Sequence, residues 1–135
     1  MTASGLEELY YLRREIERDR RRIAELREKA TSASSFPDGM WGPHAGVSDR
    51  VGCCAAAIAD LSKELAVNLD RAVRREAEIT RFIDGVEDPR IRLILKLRFV
   101  DCLPWFKVAM EIGGGNSDAS VKMCFRRWAK ANLEG

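Results

Sequence analysis

Between Ser117 and Lys130 the chain collects residue types that hold a polyanion. These are Lys122, Arg126, Arg127 and Lys130, preceded by Ser117, Asp118 and Ser120. Arginine offers a planar fork of donors that fits phosphate oxygens or the edge of guanine, and lysine a compact positive charge. Ser117 to Ser120 would open a helix, where small hydroxyls and unpaired backbone N–H groups face phosphate. Arg126 and Arg127 suit guanine edges or phosphate, and Lys130, further along, suits the backbone. Asp118 can accept from a cytosine amino group, but its place in the first turn favours a role in satisfying the helix dipole. Met123 lies among these residues and is counted with them, although Met123 and Cys124 themselves read as packing rather than acting. The candidate duplex-contact set is therefore Ser117, Asp118, Ser120, Lys122, Met123, Arg126, Arg127 and Lys130.

Other chemistry has little material. The four cysteines are Cys53, Cys54, Cys102 and Cys124, and His44 is the only histidine. Adjacent Cys53 and Cys54 do not have a metal-ligand spacing, and no Cys–His set does. No carboxylate pair or Ser–His pairing stands out. The run Gly113-Gly114-Gly115-Asn116 is not followed by the Gly-Lys-Ser/Thr of a phosphate loop. No catalytic residue, metal or cofactor is expected, and the chain reads as a non-enzyme.

Charge distribution points to the same end of the chain. The 135 residues are 46% hydrophobic and 33% charged, with a net charge of +2. That balance excludes a histone-like tail or a polyacidic segment. Residues 88–135 nevertheless carry nine basic against five acidic residues, whereas 30–87 carry six against nine. A basic terminal module is the electrostatic footprint of nucleic-acid contact. No apolar run reaches the length of a membrane span. The N-terminus lacks the basic-then-apolar form of a secretory signal. The expected location is the cytoplasm, where disulfides are rare.

The elements that must present these residues read as helices. Leu9, Leu12, Ile16, Ile23, Leu26 and Ala30 recur at three- and four-residue spacing, a heptad seam with Asp19 at one core-type position. The predicted helix covers 5–29, with Ser4 and Glu7 in capping-box spacing. Residues 31–47 have no periodicity and are rich in breakers such as Phe36-Pro37-Asp38-Gly39. They read as a mobile loop, with Trp41 either a partner anchor or tucked against the coil. Ser48 suits an N-cap for a second long helix. Its seam is Val51, Cys54, Ile58, Leu61, Leu65, Asn68, Ala72, Arg75, Ile79, Phe82 and Val86. Asn68 either fixes register or lies where the seam has opened. Folding back would set Ile23 against Ile58, Ile16 against Leu65 and Leu9 against Ala72, leaving Ile79, Phe82 and Ile83 to pack on the C-terminal part. Asp88-Pro89 starts a third helix, ending near Asp101-Cys102. A short fourth helix follows Pro104. With Ser117 as N-cap, the fifth runs from Asp118 to about Asn132, buries Val121, Phe125 and Trp128, and carries Lys122, Arg126, Arg127 and Lys130 on the opposite face.

The expected fold is therefore all-α. An N-terminal antiparallel helical coiled-coil hairpin (5–86, loop 31–47) precedes a C-terminal three-helix helix-turn-helix module (88–132). A short helix, a glycine turn and a helix with a cationic outer face suit entry into a major groove.

Residues 90–127, RIRLILKLRFVDCLPWFKVAMEIGGGNSDASVKMCFRR, resemble the DNA-binding fourth region of sigma-70-type factors. The likeness lies in Leu95-x-Leu97-Arg98-Phe99-Val100-Asp101, Trp105-x-x-Val108-Ala109-x-x-Ile112-Gly113 and Ser117-x-x-Ser120-Val121-Lys122. The whole chain resembles small phage and prophage proteins grouped with ArpU-like late-gene transcriptional activators. That resemblance implies a sequence-specific regulator acting on double-stranded DNA in a bacterial host, with helix 117–132 as reader and RNA polymerase as a further partner. Two departures stand out: Cys102 occupies a frequent glycine position, and Pro104 a frequent Ser or Thr cap. The 113–116 turn is also about two residues longer than the compact motif.

A rival class fits the same pattern. The coil could assemble oligomers while the module docks protein, as in a small-terminase-like packaging protein or a polymerase-docking adaptor. The coil could likewise pair across a homodimer instead of within one chain.

Overall fold

The computed structural model describes residues 1–34 and 45–134, and among these residues the regular structure is entirely helical. Five α-helices follow one another: α1 (Ala3–Ser34), α2 (Ala45–Asp84), α3 (Pro89–Leu95), α4 (Trp105–Ile112) and α5 (Asp118–Asn132). A π-helical segment, Lys96–Val100, continues α3. Both ends of the expected 31–47 loop are helical, because α1 extends to Ser34 and α2 begins at Ala45. Trp41 and His44 lie outside the described residues. Ser48 falls inside α2 and is not its N-cap. The cap of α1 is Thr2, not Ser4: its hydroxyl accepts from Gly5 N at 2.9 Å and its carbonyl from Leu6 N at 3.1 Å.

The chain divides into two compact units, Arg13–Asp70 on one hand and Met1–Leu12 with Arg71–Gly135 on the other. In the first unit, Ile16, Ile23 and Leu26 of α1 and Cys54 of α2 are buried. So are Asp19 and Asn68, at 5% and 3% exposure. They meet: Asn68 Nδ2 donates to Asp19 Oδ2 at 3.3 Å. The pairing read from the seam sets Asp19 level with Ser62, whereas its hydrogen-bond partner is Asn68. Apolar layers tolerate slippage by a turn, whereas a buried carboxylate without a donor does not.

The second unit gathers both ends of the sequence. Leu6 and Leu9 of α1, Ile79 and Ile83 of α2, Ile94, Leu95, Val108 and Val121 are all fully buried. The residues of α2 left over by the hairpin reading therefore find their partners here, and Phe82 lies edge-on to Trp128 with ring centroids 6.3 Å apart. Arg75 binds Glu8 and, at 2.7 Å, Glu78. Burial works against its charge, but hydrogen bonds and attraction from the two carboxylates outweigh this, so its pKa is raised. Lys96 Nζ lies 3.3 Å from Asp84, and Arg92 Nη1 donates to Val86 O at 2.8 Å. These contacts fix α3 to the end of α2. Near the chain's far end, Glu134 N donates to Met1 O at 3.2 Å.

Candidate nucleic-acid interface

Helices α3, α4 and α5 pack on one another within the second unit. Asp88 caps α3, accepting from Arg90 N at 2.9 Å, with Pro89 as its first residue. The π-helical segment shifts the phase of the chain by one residue, a change that apolar spacing cannot reveal. It buries Phe99 at 5% exposure. It also sets the Arg98 guanidinium 4.9 Å from the Trp105 ring centroid while Nη1 donates to Leu103 O at 3.0 Å. Cys102, in the loop that follows, has a φ of 56°. The position noted in sequence as a frequent glycine thus has left-handed backbone. Pro104 precedes α4 without a side-chain cap bond, and its carbonyl accepts from Lys107 N and Val108 N.

The turn between α4 and α5 is held from two sides. Gly113, Gly114 and Gly115 have φ of 71°, 67° and 76°, and Gly113 combines this with a ψ of −157°, a conformation open only to glycine. Asn116 Nδ2 donates to Gly113 O at 2.8 Å, while Arg90 Nη2 donates to Asn116 Oδ1 at 3.4 Å. Arg90 is a positioning residue that the sequence did not single out, since it lies 26 residues from its partner.

Helix α5 is clamped by one face. Val121 is fully buried. Phe125 lies 5.2 Å from Phe99, 5.5 Å from Trp105 and 6.5 Å from Trp128, between ring centroids. At about 100° per residue, the side opposite this stripe carries Ala119, Ser120, Met123, Arg126, Arg127 and Lys130. All six are exposed. Among the described residues, Arg126, Arg127 and Lys130 form no ion pair. Met123 is 48% exposed, so it does not pack in the core, whereas Cys124 is half-buried.

The remaining candidates are arranged differently. Lys122 is half-buried on the flank of α5, with Nζ 3.6 Å from Asp118 one turn earlier. Its charge is thus partly answered within the helix, and Asp118 serves the first turn. Ser117 and Ser120 form a capping box. Ser120 N donates to Ser117 Oγ at 3.1 Å, and Ser117 N to Ser120 Oγ at 3.0 Å. The Ser120 hydroxyl donates in turn to Ser117 O at 2.9 Å. Lys107, exposed on α4, is a further cation without an ion pair among the described residues, and sequence reasoning passed over it.

All four cysteines are free thiols. Among the described residues no cluster of three His, Cys, Asp or Glu side chains could hold a metal, and no helix is long and apolar enough to cross a membrane. In comparisons with family models, curated proteins and solved structures, nothing matches this chain.

Proposed function

We propose that the chain is a non-enzymatic, sequence-specific reader of double-stranded DNA. In this reading it is a transcriptional regulator of phage or prophage type acting in the bacterial cytoplasm. α1 and α2 form an antiparallel coiled-coil hairpin, and α3 to α5 form a sigma-70 region 4-like helix-turn-helix with α5 in the major groove. One observation carries this: α5 is locked by Val121, Phe125 and Trp128, and its opposite face presents Arg126, Arg127 and Lys130, which form no ion pair among the described residues. Lys122, Ser117, Asp118 and Ser120 then support the helix and its N-terminal turn next to phosphate.

The test is selection from a pool of random duplexes by the full chain, beside an Arg126→Ala, Arg127→Ala variant. An enriched motif that the variant fails to select supports reading by α5. Enrichment of nothing, at low as well as physiological salt, refutes autonomous DNA recognition.

A second reading is a protein-docking adaptor, with RNA polymerase as first candidate. It is favoured by Phe106 and Met110, one turn apart on α4 and 55% and 75% exposed. It predicts capture of a protein partner by a chain that binds duplexes weakly at every salt concentration.

A further inference from the structure

The cationic face of α5 has an apolar centre. At about 100° per residue, Met123 lies on the midline of that face, opposite the Val121–Phe125–Trp128 stripe, with Ala119 one turn before it. Arg127 and Ser120 flank it on one side, Arg126 on the other, and Lys130 follows two turns later. Met123 is 48% exposed. A large thioether with about half of its surface in water gains less from the fold than one in the core, and α5 makes its buried apolar contacts through its other face. On a helix lying in a major groove, the midline residues of the N-terminal half come nearest the base edges. The apolar group offered there is the C5-methyl of thymine, and small or flexible apolar side chains are its partners.

Resting on the DNA-reading role above, we propose that Met123, supported by Ala119, is a specificity-determining residue that reads the C5-methyl group of thymine. Arg126 and Arg127 then supply guanine or phosphate contacts one turn further on. Met123 and Arg127 are separated along the axis by about 6 Å, or about two base-pair steps. The thymine therefore lies within about three base pairs of the positions at which the Arg126→Ala, Arg127→Ala variant loses selectivity.

The test uses the full chain and the duplex it enriches. Each thymine is replaced singly by deoxyuridine, which removes the methyl group and leaves every hydrogen-bonding edge in place. The wild-type chain is expected to lose affinity about three- to tenfold at one such position, the worth of a buried methyl contact. Met123→Ala is expected to bind thymine and uracil duplexes alike there, and Met123→Leu to retain the preference. Because Met123 is exposed, both variants should unfold at the wild-type temperature. Indifference of the wild-type chain to every replacement, an enriched motif without thymine, or a preference that survives in Met123→Ala overturns the thymine contact alone. A chain that enriches no duplex overturns the DNA-reading role, and the thymine contact with it.

Discussion

Cys102 offers a measurement in which backbone geometry alone fixes the sign. Its φ of 56° is left-handed, which costs an L-residue roughly 1–2 kcal/mol relative to glycine. Glycine carries an opposing cost, because its unfolded chain has more freedom to lose, of about 0.4–1 kcal/mol. The half-buried thiol lies 3.8 Å from the carbonyls of Phe99 and Val100, and truncation removes these weak contacts in either variant. Comparing Cys102→Gly with Cys102→Ala therefore cancels the side chain and isolates the backbone. Glycine should be the more stable by about 0.5–1 kcal/mol, or about 2–4 °C in the unfolding midpoint of a chain this size. At a loop position with negative φ the order reverses. Urea and thermal unfolding of the two variants, followed by helical circular dichroism, measure the difference. An alanine variant as stable as the glycine variant, or more so, would show that residue 102 is not left-handed.

Other perturbations probe the core and the cationic face. Asn68→Leu leaves the Asp19 carboxylate buried without its donor and should cost about 2–4 kcal/mol in urea unfolding, while the Asp19→Leu, Asn68→Leu double variant recovers most of that loss. Phe125→Ala empties the centre of the aromatic cluster, with an expected loss of about 2–4 kcal/mol and a collapsed near-ultraviolet dichroism signal. Ser117→Ala removes half of the capping box and should lower stability by about 1 kcal/mol, measured the same way. For duplex binding followed by fluorescence anisotropy, the Arg126→Ala, Arg127→Ala variant should reduce the slope of log affinity against log salt by about two. Lys122→Ala should reduce that slope by less than about one, because Asp118 already holds its charge; equal slopes for all three proteins would remove α5 from the interface.

The helices themselves were legible because burial and helical period leave a direct trace in the order of residues. Leu9, Leu12, Ile16, Ile23 and Leu26 are buried at the spacing the seam predicts. Along α2 the same spacing is weaker evidence: Ile58, Leu61 and Leu65 are only half-buried, and Val51 is exposed. Asp19 and Asn68 were each visible as polar residues in an apolar seam, but their bond was not, since register depends on two helices at once. Features made by geometry off the helical lattice left no pattern. The π-helical segment at Lys96–Val100 and the Arg90–Asn116 clamp are of this kind. The division of the cationic residues between the outer face and the flank follows from phase alone. Counting about 100° per residue from Val121 separates Lys122 from Arg126, Arg127 and Lys130.

The second unit also has a history in time. Its first stretch ends at Leu12 and its second begins at Arg71, so Leu6 and Leu9 leave the ribosome long before the residues that cover them. At about 5–20 residues per second, the interval between Leu12 and the end of α5 is about 6–24 seconds. Until Arg71 and the residues after it are made, Leu6 and Leu9 lack the rest of the unit in which they are buried. A product broken off before α5 never covers the stripe that Val121, Phe125 and Trp128 complete. Synthesis thus sets a built-in checkpoint: the unit that bears the cationic helix cannot close until α5 itself has been made.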